Sequence, residues 1–110
     1  MNRDNPDPAG AVEALVKALV QELHPEFILL FGSRSRGDAR PDSDYDLLVV
    51  ARTSLPPGRR ACRAYLATNG LGVSRDILVY TPEEFERLST WRSSVVAWAI
   101  REGRKVYEAA

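Results

Sequence analysis

Residues 27–50 constrain the fold of this chain more than any other stretch. Two short, mainly apolar runs, 27–31 and 45–50, flank a polar segment rich in Gly, Ser, Arg and Asp. Such short apolar runs predict strands that are covered on both faces. Gly32 follows the first run and permits a sharp turn where a side chain would collide. The stretch therefore predicts a buried strand, a glycine corner, a polar loop and a second buried strand.

Two carboxylates and a serine border these predicted strands. Asp44 and Asp46 are two residues apart, so on a strand they project from one face, roughly 6–7 Å apart. Ser33 can cap the turn or short helix after the corner, whose free N–H groups attract anions. The aspartates could instead be turn residues, but two like charges beside a buried strand are costly without a cation. Because Mg²⁺ takes carboxylate and phosphate oxygens, these residues predict a metal–nucleotide site.

Asp76 is a candidate third carboxylate. It shares a strand face with Leu78 by the period of two, so it could stand beside Asp44 and Asp46. The alternative interpretation is a surface aspartate paired with Arg75.

Three arginines lie in the polar segment, beside the predicted phosphate corner: Arg34, Arg36 and Arg40. They could form a solvated loop. A guanidinium also matches the geometry of a phosphate through two parallel hydrogen bonds. Arg36 is the predicted phosphate contact, although the sequence does not rank the three firmly.

The spacing of these residues resembles that of the minimal nucleotidyltransferases, small members of the polymerase-beta-like superfamily. Gly32-Ser33 is followed by the ten residues 34–43 and then by Asp44-Tyr45-Asp46. The resemblance covers roughly residues 10–108, although its specific motif lies within 27–50. The fold predicted for the chain, which is consistent with this family, is a mixed α+β fold, with a mixed sheet of three to four strands and helices packed mainly on one face.

The resemblance also implies an activity, which is the Mg²⁺-dependent transfer of a nucleoside monophosphate, AMP from ATP, to a hydroxyl group. Gly32 and Ser33 would hold the nucleotide phosphates. Asp44, Asp46 and Asp76 would be the catalytic residues and the ligands of two Mg²⁺ ions. Asp76 would also be the base for the acceptor hydroxyl.

A partner follows from the resemblance as well. Free-standing domains of this size are often antitoxins of two-gene modules, and they silence a HEPN ribonuclease toxin by adding AMP to a tyrosine. Two alternatives stay open at this point. One is a non-catalytic binding module that neutralises its partner by contact. The other is a small-molecule nucleotidyltransferase of the aminoglycoside-modifying type, which usually needs an added helical domain.

Composition narrows the class of protein. A length of 110 residues suits one domain. Fifteen basic and fifteen acidic side chains cancel, which argues against strong direct binding of nucleic acid by bulk charge. No apolar run approaches the ~18 residues of a membrane span, and no signal-peptide pattern is present. The lone Cys62 excludes a disulfide framework and favours a cytoplasmic protein, with Cys62 as a small buried filler.

The remaining pattern predicts the order α-β-α-β-α-β-α, with a possible closing strand. Residues 1–8 are predicted to be a flexible lead-in and residues 9–110 a single domain. Predicted helices cover 9–23, 59–68 and 82–100, the last as one or two helices, and a helical turn is predicted within 34–43. Predicted strands cover 26–31, 45–52, 73–80 and 104–108. Side chains predicted to face the core include Cys62, Tyr65, Leu66 and the stripe of Trp91, Val95 and Trp98, which could also cover a partner.

Overall fold

A computed structural model of the chain describes residues 10–110. The predicted lead-in, residues 1–8, lies outside the described residues. The helices are α1 (Ala11–Leu23), α2 (Ser33–Arg36), α3 (Pro57–Thr68), α4 (Pro82–Ser89) and α5 (Val95–Glu102), with a 3-10 turn at Asn69–Leu71. The strands are β1 (Phe27–Phe31), β2 (Tyr45–Val50), β3 (Arg75–Tyr80) and β4 (Arg104–Glu108).

The four strands form one mixed sheet in the order β3-β2-β1-β4. β1 runs antiparallel to both of its neighbours, whereas β2 and β3 are parallel. The parallel pair needs a crossover, and α3 provides it. This mixed sheet with helices confirms the predicted α+β fold class, and β4 is the possible closing strand.

The helices cover both faces of the sheet rather than mainly one face. On one face, α1 and α3 pack against Leu47 and Val49 of β2. On the other face, α4 and α5 pack against Leu48 and Val50. Successive residues of β2 therefore enter different cores, which explains why its apolar run is continuous.

Helix α3 does not present the face that its apolar residues predicted. Leu66 is 68% exposed and Cys62 is exposed, so the expectation that they face the core is wrong. The buried positions are Arg60, Ala64 and Thr68, which follow one another at intervals of four. Arg60 faces inward because its charge is paired there with Glu84. The sequence of α3 alone does not reveal this ion pair.

The predicted last helical segment is two helices, α4 and α5, joined by a turn. Both helices begin with a side-chain cap: Thr81 forms a capping box with Glu84, and Ser94 accepts from the N–H of Ala97. Trp91 lies in the turn and is 62% exposed, so it is not a core residue. No helix within residues 10–110 has the length and apolar character needed to cross a membrane.

Candidate active site

The carboxylates collect at one end of the sheet, where β2 and β3 begin and β1 ends. Asp46 is the direct neighbour of Asp76 in the parallel pairing of β2 with β3. On its other side, Asp46 is the neighbour of Phe31, the last residue of β1. The sheet register therefore places Asp46 between the glycine corner and Asp76. We call this region the carboxylate end of the sheet.

Gly32 is required at the corner for two physical reasons. Its backbone has φ 77° and ψ −158°, a conformation that residues with a side chain rarely adopt. A Cβ atom on Gly32 would also overlap Oδ2 of Asp46. The carboxylate of Asp46 thus packs directly against the corner. The glycine and the second aspartate of the motif are parts of one local structure.

The single helical turn α2 begins immediately after the corner. Ser33 is its first residue, and Gly32 occupies the N-cap position without a side-chain cap, so the prediction that Ser33 caps the turn is wrong. Backbone N–H groups of Ser35 and Arg36 both donate to the carbonyl of Gly32, each at 3.0 Å. The N–H groups of the first residues of such a turn have no partner within it.

The negative charges at the carboxylate end repel one another. The pKa of the Asp46 carboxyl is raised, first by burial and then by the negative charges of Asp76 and Asp44, while Arg36 offsets part of the effect. Asp46 is half-buried, whereas Asp44 and Asp76 are exposed. The site therefore favours a positive ligand that could be shared among the three carboxylates.

Two hydroxyl groups engage the outer carboxylates. Ser74 Oγ donates to Asp44 Oδ1, and the hydroxyl of Tyr65 donates to Asp76 Oδ1 at 3.2 Å. Within residues 10–110, no three His, Cys, Asp or Glu side chains are arranged as a ready-made metal site. The donor chemistry nevertheless fits Mg²⁺, because three mutually repelling carboxylates supply hard oxygen ligands. Asp44 would turn from the hydroxyl of Ser74 toward the ion, whereas Asp76 would offer its other oxygen, Oδ2.

Arg75 does not pair with Asp76, so the interpretation of Asp76 as one half of a surface ion pair is wrong. The Arg75 guanidinium lies over the ring of Tyr65, with Cζ 5.1 Å from the ring centroid. Its Nε donates to Thr68 Oγ1 at 2.7 Å, and its Nη2 donates to the carbonyl of Tyr65 at 2.9 Å. The side chain of Asp76 is therefore not neutralised by its sequence neighbour.

The three arginines of the loop have different environments in the structure. Arg34 braces the loop, because it donates to the carbonyl of Ser43 at 2.9 Å and stacks 4.3 Å over the ring of Tyr45. Arg36 is paired with the carboxylates of Asp38 and Glu102. The side chain of Arg40 is exposed and makes no ion pair within residues 10–110.

Helix α5 holds the turn α2 through Glu102. Arg36 Nη1 contacts Glu102 Oε1 at 2.9 Å, and Arg36 Nε contacts Asp38 at 3.2 Å. The hydroxyl of Ser35 also donates to the main-chain carbonyl of Glu102 at 3.0 Å. Sequence reasoning missed Glu102, and it missed Ser74 and the hydroxyl contact of Tyr65. No local signal identifies such contacts, because each joins elements that are remote in sequence.

A wide groove formed by the described residues lies away from this site. It has a volume of about 690 Å³ and runs between α1 and β4, at the opposite edge of the sheet from Asp76. A second depression, of about 440 Å³, borders the carboxylate end at Ser43 and Ser74. None of the three aspartates lines either groove.

Comparison with known proteins gives a family and a fold. Residues 12–106 match the family described as "Nucleotidyltransferase domain". A crystal structure of a toxin–antitoxin with AMP-PNP is similar, with a TM-score of 0.61 and 21% identity over 90% of this chain and 74% of that chain. A mutant of the toxin–antitoxin MntA-HpeT is similar with a TM-score of 0.61 and 20% identity over 88% of this chain and 73% of that one.

A third similar structure is a putative nucleotidyltransferase from Sulfolobus solfataricus. Its TM-score is 0.51, with 20% identity over 93% of this chain and 90% of that chain. No curated protein sequence matches the chain. At these identities the three structures support the shared fold.

Proposed function

Because the chain belongs to the nucleotidyltransferase-domain family, we propose that it transfers a nucleoside monophosphate, AMP from ATP, to a hydroxyl group of a partner protein. The observation that carries this proposal is that Asp46 packs against the Gly32 corner and pairs with Asp76 on the neighbouring strand. A turn whose N–H groups can face phosphate oxygens, beside carboxylates that can hold Mg²⁺, suits nucleotidyl transfer.

The proposed metal ligands are Asp44, Asp46 and Asp76. Two Mg²⁺ ions held there would neutralise the triphosphate and polarise its α-phosphate. The raised pKa of Asp46 supports this assignment, because the like charges of Asp76 and Asp44 contribute to it.

The nucleotide phosphates are proposed to bind at the corner and at α2. Backbone N–H groups of Gly32 and Ser33 are proposed to face the phosphate oxygens. Arg36 is proposed as the guanidinium contact, because only its Nε and Nη1 atoms are bonded to carboxylates and its Nη2 has no hydrogen-bond partner within residues 10–110. Arg40 is a second candidate for this contact, since it makes no ion pair there.

Asp76 is proposed as the base of the reaction. Its carboxylate accepts the proton of the acceptor hydroxyl as the acceptor oxygen forms a bond to the α-phosphorus. The bond between the α-phosphorus and the oxygen that bridges to the β-phosphorus breaks, and pyrophosphate leaves. Asp76 suits this role because it is exposed to an incoming acceptor and is not paired with Arg75.

The proposed acceptor is a tyrosine of a HEPN ribonuclease toxin, and the chain would act as its antitoxin. Two of the structures with a similar fold are toxin–antitoxin complexes, and one of them contains AMP-PNP. The exposed Trp91 is also suited to a protein contact, because aromatic side chains are enriched at the centres of interfaces.

A contact-only antitoxin is the second candidate function. The observation that favours it is that the described carboxylates do not form a ready-made metal site. In that case the protein would neutralise its partner by binding, and the charges of Asp44 and Asp46 would have no catalytic use.

Intact-mass measurement separates the two candidates. The protein is mixed at a low molar ratio with the protein encoded beside it, together with Mg²⁺ and ATP, and the partner is then isolated under denaturing conditions. We expect the mass of the partner to increase by whole AMP units, because each transfer adds one AMP. A low molar ratio is enough, since one enzyme molecule modifies many partner molecules. Partner that stays unmodified, yet is inhibited at equimolar ratios without ATP, would establish the contact-only function instead.

Two aspartate variants serve as a matched pair in this experiment. Asp44→Asn should abolish the mass increase. Asp42→Asn should retain it, because Asp42 is an exposed residue of the loop between Ser33 and Asp44 and is not a proposed ligand. Equal loss in both variants would show a general effect of charge in the loop and would contradict the proposed site.

A further inference from the structure

The hydroxyl of Tyr65 bridges the two faces of the sheet. Tyr65 belongs to α3, and its side chain packs with the core on the α1 and α3 face. Asp76 shares the opposite face of β3 with Leu78. The tyrosine reaches Asp76 around the free edge of β3, which is the outermost strand on this side of the sheet.

Two hydrogen bonds define the direction of the hydroxyl proton. The backbone N–H of Ile77 donates to the Tyr65 oxygen at 2.9 Å, which satisfies a donor at the free strand edge. An ionised carboxylate can only accept, so the Tyr65 O–H donates to Asp76 Oδ1 at 3.2 Å. The other oxygen, Asp76 Oδ2, has no hydrogen-bond partner within residues 10–110.

Further contacts fix the ring of Tyr65. The guanidinium of Arg75 covers one face of the ring and is bonded to the Tyr65 carbonyl and to Thr68. Thr68 is fully buried, so this anchor is rigid. Arg75, which precedes Asp76 in sequence, therefore holds Tyr65, which contacts Asp76 in space.

We infer that Tyr65 is a positioning residue for Asp76: it holds Oδ1 at the strand edge and leaves Oδ2 to accept the proton of the acceptor hydroxyl. This inference rests on the proposed function for the role of Asp76, but the contact itself exists without nucleotide or partner. Loss of a group that orients a catalytic carboxylate lowers the rate of the chemical step more than it weakens binding of the nucleotide.

The variant Tyr65→Phe tests this role, because it removes one hydroxyl and keeps the ring under Arg75. With Mg²⁺, ATP and the neighbouring-gene protein as acceptor, kcat is expected to fall about tenfold or more. The KM for Mg-ATP is expected to stay within about twofold, since the phosphate contacts are elsewhere. The control is Tyr107→Phe, whose hydroxyl makes no hydrogen bond within residues 10–110; it should match the wild type.

Two spectroscopic readouts test the contact without any activity. In protein free of metal and nucleotide, the side-chain carboxyl ¹³C resonance of Asp76 should move in Tyr65→Phe and stay in place in Tyr107→Phe. Amide hydrogen exchange at Ile77 should become faster in Tyr65→Phe, because its acceptor is lost. If both signals are unchanged, the contact does not exist in solution and the inference is overturned.

The outcomes separate this inference from the proposed function. A wild type that transfers nothing to the acceptor overturns the proposed function, and an unmoved Asp76 resonance overturns the positioning contact. A Tyr65→Phe variant with wild-type kcat and a moved resonance overturns the catalytic use of the contact. An AMP increment on the chain itself that disappears in Tyr65→Phe would make Tyr65 an acceptor, which also contradicts the positioning role.

A second variant excludes a general folding effect. In the Asp76→Asn background, Tyr65→Phe should cause no further loss of transfer if it acts through Asp76. An additional tenfold loss in that background would show that Tyr65 acts by another route and would overturn the inference.

Discussion

The two ends of the sheet differ in whether their charged side chains are paired with opposite charges. At the carboxylate end, Asp44, Asp46 and Asp76 gather like charges, and the pKa of Asp46 is raised. At the other end, Arg60 and Glu84 form an ion pair at 2.8 Å, with only 8% and 25% of their side chains exposed. There the pKa of Glu84 is lowered, first by the backbone hydrogen bond from Thr81, with Arg60 contributing.

The charged groups at the Arg60 end are satisfied within the chain. Arg60 donates to the carbonyl of Leu55 at 2.7 Å and to Glu84, while Glu84 also accepts from the N–H of Thr81 at 2.9 Å. The carboxylate end has hydroxyl donors, but it has too little positive charge to balance its three carboxylates. The contrast indicates that the charges at the Arg60 end stabilise the fold, and it supports the proposal that a cationic ligand binds at the other end.

The largest expected effect is on catalysis at the carboxylate end. Asp76→Asn removes the proposed base, and the rate of AMP transfer should fall by about 10²–10⁴-fold. Because Asp76 is exposed, the free energy of unfolding should change by less than about 0.5 kcal/mol. Radiolabel transfer from ATP and urea unfolding measure the two quantities. Asp42→Asn is the control, and near-normal transfer by Asp76→Asn would remove Asp76 from the site.

The next largest effect is on stability at the other end. Arg60→Met keeps much of the side-chain volume but leaves Glu84 without its cation, so we expect a loss of about 3 kcal/mol. For a domain of this size that lowers Tm by roughly 10–20 °C. Arg59→Met, at an exposed neighbouring position, should have little effect. Equal stability of the two variants would contradict the assigned role of the Arg60–Glu84 pair.

A smaller effect depends on pH. The pKa of Glu84 is lowered in the folded protein. Its charge therefore stabilises the fold above the unfolded pKa of 4.5, and this stabilisation is lost as the pH falls through the folded pKa. Glu84→Gln keeps the capping-box geometry but should cost about 1 kcal/mol at pH 7. That difference from the wild type should shrink below pH 4.5. Glu83→Gln, a more exposed change, should show no such trend in melting curves recorded across this range.

The sequence predicted local structure well where neighbouring residues determine it. The glycine corner and the two strands around it were predicted correctly, because apolar runs and a glycine carry that information locally. The continuous apolar run of β2 also indicated burial on both faces, and the structure agrees with it. The prediction that helices pack mainly on one face was wrong, because the order of the elements does not determine on which face each helix packs.

Contacts between distant elements were not predictable from the sequence. Arg60 is buried because Glu84 arrives from another helix, whereas the apolar Leu66 lies on the exposed face of α3. Tyr65 reaches Asp76 only because α3 crosses beside the edge of β3. Asp44, Asp46 and Asp76 were chosen from spacing and resemblance. The strand register places Asp46 beside Asp76, while the catalytic roles of the three aspartates stay predictions.

The most direct test of the central claim compares Asp46→Asn with the wild type in urea unfolding, first without ligand and then with Mg²⁺ and AMP-PNP. Without ligand, Asp46→Asn should be more stable by about 0.5–1 kcal/mol, a small gain because solvent screens part of the repulsion. With ligand at 100 times its Kd, the wild type should gain about 2.7 kcal/mol, whereas Asp46→Asn should gain almost nothing. An Asp46→Asn protein that is less stable without ligand, or that gains as much as the wild type with it, would contradict the claim that a ligand completes the carboxylate end.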